Sequence, residues 1–210
     1  MFAAIKPKYS TRLKAGIIQC SSFAGIIQCS STYTAWSTPG NFSVEALAAH
    51  LVDCRGDRNV ISSFLLATER PSSQFNMRYN YSCCKLPDAM CSSNQQVLST
   101  AATTYPDNTL SLKMHNVSCG NTGVLTQFKL TWPSFSAIGY EYKCCDALAG
   151  RSLRCVYNET ALDDQGSKGV DYLDRHSVNC LDGYFMNSFG LFLNATKMHY
   201  HYTCCNFDLI

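Results

Sequence analysis

The sequence predicts an all-β protein of three tandem disulfide-rich β modules behind an extended amino-terminal arm, and three observations carry that prediction. One residue pattern recurs three times along the 210 residues. Within each copy the apolar positions alternate with a period of two, not 3.6, and are mostly β-branched or aromatic, the mark of strands. Thirteen cysteines are far more than a reducing compartment tolerates, so they read as a disulfide framework.

The repeat takes precedence because a missed repeat misreads the whole fold. In the first copy Leu47, His50, Val52 and Cys54 are followed by Phe64 and Leu66, then by Tyr79, Tyr81, Cys83 and Cys84. The second copy has Leu112, His115, Val117 and Cys119, then Phe128 and Leu130, then Tyr140, Tyr142, Cys144 and Cys145. The third has Leu173, His176, Val178 and Cys180, then Phe189 and Leu191, then Tyr200, Tyr202, Cys204 and Cys205. An earlier cysteine opens each copy: Cys29, Cys91 or Cys155. Four cysteines per copy account for twelve, and the thirteenth, Cys20, lies upstream. The resulting units are an arm over residues 1–28 and modules over 29–90, 91–150 and 151–210. The joins between copies are short, so neighbours must touch. A row of packed modules is the expected arrangement, and the alternative is closure into one pseudo-threefold body such as a trefoil or prism.

Alternate residues of a strand face opposite sides. The stretch from Leu47 to Cys54 reads as one strand, with His50, Val52 and Cys54 on the core face. Phe64 and Leu66, and Tyr79, Tyr81 and Cys83, share that face. Asp53, Asn80, Ser82 and Cys84 then occupy an outer face. Adjacent cysteines point to opposite sides and do not comfortably bond each other. Cys83 should therefore meet Cys54, and Cys84 should reach back to Cys29. Repetition extends this to Cys119–Cys144, Cys91–Cys145, Cys180–Cys204 and Cys155–Cys205. Modules of roughly 55 residues have small cores, and bridges contributing about 2–4 kcal/mol each make them viable.

The tail contains a second repetition: residues 15–22 and 24–31 both read AGIIQCSS. The later copy supplies Cys29. The earlier one, Ala15, Gly16, Ile17, Ile18, Gln19 and Cys20 followed by two serines, is a short strand candidate with a cysteine that has no partner in the scheme. An odd cysteine in a secreted protein suggests an intermolecular bond or a free thiol. A strand-like arm that joins a neighbour's open sheet edge is a known route to assembly. Such contacts run head to tail and give a filament when they do not close.

Little in the chain suggests catalysis. His50, His115 and His176 each occupy one equivalent position with no converging partner, which fits buried structural histidines better than ligands. His199 and His201 share one strand face and read as ordinary surface. Asp163, Asp164, Asp171 and Asp174 lack the spacing of a calcium loop. Arg55, Gly56 and Asp57 form a tripeptide used by adhesive ligands, but the other copies do not repeat it. No zinc-type cysteine pairing, nucleophile elbow or phosphate loop is present. The expectation is therefore no enzyme, no cofactor and no metal. A net charge of +2 with scattered Lys and Arg gives no stripe for nucleic acid. No apolar run approaches the ~20 residues of a membrane helix.

Sequons at Asn41, Asn80, Asn116, Asn158 and Asn194 fit a secreted glycoprotein. The amino terminus shows no apolar signal core, so a secreted form would have lost its leader. The triplicated pattern spanning Cys29 to Cys205 resembles cysteine-rich tandem-repeat proteins of microbial eukaryote surfaces, and subunits of extracellular glycosylated fibrils chained by a donated amino-terminal strand. That resemblance implies a fibre subunit whose partners are copies of itself and covalent glycans. The alternative is a secreted carbohydrate-binding or adhesive module using the loops Ala67–Met77 and Thr131–Ile138, where Trp132 could stack on a sugar. An inhibitor or defence role would need an exposed rigid loop.

Overall fold

The computed structural model describes residues 27–38, 43–56, 58–70, 75–88, 90–93, 96–104, 109–134, 137–166, 169–194 and 196–209. The first repeat forms β1 (Gln28–Tyr33), a 3-10 turn (Val44–Ala49), β2 (Leu51–Asp53), β3 (Asn59–Glu69) and β4 (Asn76–Lys85). The second forms β5 (Cys91–Ser93), β6 (Leu98–Ser99), β7 (Thr103–Thr104), a helical turn (Thr109–Leu112), β8 (Asn116–Ser118), β9 (Gly123–Ser134) and β10 (Ala137–Ala147). The third forms β11 (Arg151–Glu159), β12 (Asp163–Asp164), a 3-10 turn (Val170–Arg175), β13 (Val178–Asn179), β14 (Phe185–Asn194) and β15 (Lys197–Leu209).

The leucine of each repeat is not in a strand, contrary to the alternation reading. His50, His115 and His176 donate their backbone N–H to the carbonyls of Leu47, Leu112 and Leu173, three residues back. That bond closes one helical turn, which drives the leucine into the core just ahead of the strand. All three leucines are 2 % exposed or less.

The row-of-modules expectation gives way to a ring. Each long hairpin, β3–β4, β9–β10 or β14–β15, takes a short strand from another repeat: β13 pairs with β3, β2 with β9, and β8 with β14. First donates to second, second to third, and third back to first. Within this ring Val52 stands opposite Phe128, Val117 opposite Phe189, and Val178 opposite Phe64. The conserved-looking spacing inside each repeat thus serves contacts between repeats. A solitary short strand has no partner in its own hairpin, so sheet completion requires the neighbour.

The three phenylalanines meet at the centre. Ring centroids of Phe64, Phe128 and Phe189 lie 5.1, 4.9 and 4.8 Å apart in inclined, edge-on geometry, which favours the ring quadrupoles. Tyr79, Tyr140 and Tyr200 pack around them. Burial pushes all three phenols well above their usual pKa.

The hairpins share one irregularity. A bulge falls at Ser62, Thr126 and Asn187, three equivalent positions. The bulged residue's carbonyl accepts the backbone N–H of the cysteine ending the incoming strand: Cys54 to Thr126, Cys119 to Asn187 and Cys180 to Ser62, at 2.9–3.0 Å. A bulge leaves one residue out of the hairpin ladder, and here its carbonyl receives the neighbour.

The six disulfides are Cys29–Cys84, Cys54–Cys83, Cys91–Cys145, Cys119–Cys144, Cys155–Cys205 and Cys180–Cys204, the pairs that face alternation predicts. Three of them, from Cys54, Cys119 and Cys180, tie a donated strand back to its own hairpin and so join neighbouring sheets. The other three tie a first strand to the middle of its sheet. One expectation needs correction. Cys84, Cys145 and Cys205 do point away from the aromatic core, but not into solvent. They form a second apolar cluster with Val60, Val124, Phe185 and Phe207, drawn from all three repeats.

Candidate functional site

The equivalent histidines are buried in the ring, at 1–3 % exposure, and their partners explain them. Thr34 N–H donates to the Tyr79 carbonyl, and Tyr79 N–H donates to Thr34 Oγ1. The Thr34 hydroxyl lies 2.9 Å from His50 Nδ1, and Ser37 Oγ lies 2.8 Å from Nε2. A hydroxyl can both donate and accept, so the neutral imidazole accepts from one of these two hydroxyls and donates its ring N–H to the other. Thr100 and Thr103 treat His115 in the same way, at 2.8 and 2.9 Å. Each node clamps a helical turn to a first strand and a hairpin.

The third node differs. Thr160 reaches His176 Nδ1 at 3.1 Å, but Asp163 stands where the others have Ser37 and Thr103. Asp163 takes the Asp164 N–H and Arg175 instead, and His176 Nε2 has no hydrogen-bond partner among the described residues. The threonines were missed in the sequence. Their only signal is a hydroxyl 15 or 16 residues ahead of each histidine, in a stretch otherwise unlike between copies.

Burial lowers the pKa of His50, His115 and His176 below 6.5. For His176 the Asp163 charge opposes this, and His199 and Arg175 reinforce it. The unfolded chain therefore binds more protons than the fold as pH drops. The stability from these nodes is complete above pH 6.5 and is lost as pH falls through 6.5 toward the lowered folded values. The slope is at most about 1.4 kcal/mol per pH unit for each histidine. Thermal melts across pH 8 to 5 should show a falling Tm below 6.5, with a weaker fall in His115→Gln. An unchanged Tm over that range would contradict the assignment.

His199 and His201 sit on β15 beside the edge. His199 Nε2 lies 3.9 Å from Glu159, and His201 stacks on Tyr157. Asp171 and Asp174 are spent on the seam, pairing with Arg70, just past the end of β3, and with Thr68 of β3. Among the described residues no group of three His, Cys, Asp or Glu side chains is placed to hold a metal ion. Arg55 is exposed and pairs with Asp53 at 3.7 Å; Asp57 lies outside the described residues. Trp132 is half-buried against the aromatic core, not a free platform. Exposed rings stand elsewhere: Tyr33 and Trp36 flank the Arg78 guanidinium at 4.4 and 4.3 Å.

The open features are strand edges. Among the described residues β1 and β11 each pair on one side only, with β4 and β15. β11 carries Arg151, Arg154 and Glu159, charges that discourage chance pairing at an edge. β1 reads Gln28, Cys29, Ser30, Ser31, Thr32 and Tyr33, all exposed and none charged. In the second repeat the same position is broken into β5, β6 and β7. Asn116 and Asn194 are exposed, whereas Asn158 is half-buried, as is Asn80, in mid-sheet between β1 and β3 with its Oδ1 buried. Asn41 and the assembly candidates Ala15, Gly16, Ile17, Ile18, Gln19 and Cys20 lie outside the described residues.

No protein-family model matches the chain, and no curated protein matches its sequence.

Proposed function

We propose that this protein is a structural subunit of an extracellular glycosylated filament, joined head to tail through its amino-terminal strand, and not an enzyme. The observation that carries the reading is the edge of β1. It is uncharged, exposed at every residue and, among the described residues, unpaired on one side, the kind of edge that soluble proteins blunt unless a strand is meant to join it. It is also the strand to which the amino-terminal arm connects directly. Six disulfides point to an oxidising compartment, and no helix among the described residues is long and apolar enough to cross a membrane. The stapled ring would supply the rigidity, and the exposed sequons would carry glycans.

The test is negative-stain microscopy of the full chain beside a version starting at Ser21, which keeps every cysteine of the six disulfides. Filaments from the first and single particles from the second are expected. Single particles from both, or filaments from both, would overturn the reading. A second reading, a carbohydrate-binding or adhesive module, is favoured by an open cleft of about 530 Å³ lined by Tyr33, Asp53, Arg55 and Tyr81. Glycan-array binding abolished by Tyr33→Ala would support it.

A further inference from the structure

The duplicated octapeptide has a meaning that β1 reveals. From its second copy, Gln28 to Ser31 lie in β1 at the edge of the first sheet. Ile27 packs against the second apolar cluster, Cys29 stands opposite Cys84, Ser30 opposite Cys83 and Ser31 opposite Ser82. Ser31 and Ser82 also share a hydroxyl hydrogen bond of 3.1 Å. Ile18, Gln19, Cys20, Ser21 and Ser22 repeat Ile27 to Ser31 residue for residue. Any slot along β4 that fits one copy fits the other.

We propose that Ala15–Ser22 is a second occupant of this slot, and that Cys20 of one copy of the chain displaces Cys29 from Cys84 of another. The inference rests on the filament reading, moves its joint from the free edge of β1 to the β4 edge that β1 vacates, and makes that joint covalent. The Cys20 thiolate attacks Cys84 Sγ, the Cys29–Cys84 bond breaks, and the electron pair leaves with Cys29, whose thiolate takes a proton from water. One disulfide and one thiol stand on each side, so no oxidant is needed.

Three features of the fold fit this exchange. Cys84 is 1 % exposed beneath an exposed Cys29, so attack requires β1 to lift, which couples bond exchange to strand exchange. Across the three repeats the equivalent bridge also forms in two registers. Cys29 and Cys155 lie directly opposite their partners, yet Cys91 lies opposite Ala147 and still bonds Cys145. Finally, the copies diverge beyond the octapeptide. Thr34, which holds His50 and Tyr79, and Tyr33, which covers Arg78, have Gly25 and Ala24 as counterparts. The resident strand is therefore the tighter one in an isolated molecule, and the exchanged joint belongs to the assembled state.

The experiment mixes unlabelled and nitrogen-15-labelled full-length chains, allows assembly, quenches thiols with iodoacetamide and maps disulfides without reduction. Hybrid peptides joining Cys20 of one isotope to Cys84 of the other are expected, with Cys29 alkylated in proportion. With glutathione disulfide supplied as the oxidant, Cys29→Ser should give a ladder on non-reducing gels that collapses with dithiothreitol, and Cys20→Ser/Cys29→Ser should lose the ladder and leave Cys84 open to alkylation. Cys20 found only as a thiol, or bonded to Cys84 only within its own chain, overturns the proposal. Filaments without hybrid peptides would sink the exchange alone, and hybrid peptides without filaments would sink the filament reading alone.

Discussion

Phe128→Ala is expected to destabilise the entire molecule by about 3–5 kcal/mol and to lower the melting of all three repeats together. The reason is geometric. The Phe128 ring touches Phe64 of the first repeat, Phe189 of the third, and Tyr79 and Tyr140 on two hairpins. It also lies opposite Val52 on a strand donated by the first repeat. Truncation opens a cavity at the point where three sheets converge, and no single sheet can collapse to fill it. Circular dichroism melts of this variant, beside Phe192→Ala at a 45 % exposed position, measure the effect. The exposed control should stay within about 0.5 kcal/mol of the parent. A Phe128→Ala protein that loses structure only in its second repeat would contradict the shared core.

Complete reduction is expected to unfold the protein at room temperature. Six bonds at about 2–4 kcal/mol each together exceed the roughly 5–15 kcal/mol by which domains are ordinarily stable. The bonds close loops of 24 to 55 residues, a spread that changes each contribution by only about 0.7 kcal/mol on chain-entropy grounds. Position matters more than loop length. Cys54–Cys83, Cys119–Cys144 and Cys180–Cys204 hold neighbouring sheets together, so their loss frees the donated strands. Removing Cys29–Cys84 frees only an edge. Near-UV circular dichroism under dithiothreitol reads the outcome, and native signal after all thirteen thiols have been titrated would refute the expectation.

Much of this architecture was legible in the chain, for physical reasons that differ by element. Period-two alternation exposes which residues share a strand face, and that alone pairs Cys83 with Cys54 and Cys84 with Cys29. Tyr79, Tyr81, Phe64 and Leu66 fall on the core face for the same reason. Closure was not legible. Val52 opposite Phe128 and Val117 opposite Phe189 are contacts between repeats, and a motif repeated in every copy looks the same whether it packs within its own copy or against the next. The bulges were hidden because Ser62, Thr126 and Asn187 share no side chain, only a backbone carbonyl at one geometric position. The second apolar cluster was hidden because alternation says that Cys84 faces away from the first core, not that a second one lies there. Leu47 was misplaced because one helical turn is too short to show a 3.6-residue period.

The central claim, that three repeats fold as one ring, is tested most directly by scanning calorimetry of the full chain. The ring predicts a single transition in which calorimetric and van't Hoff enthalpies agree. A calorimetric enthalpy about three times the van't Hoff value would mean that three modules melt independently, and would contradict it.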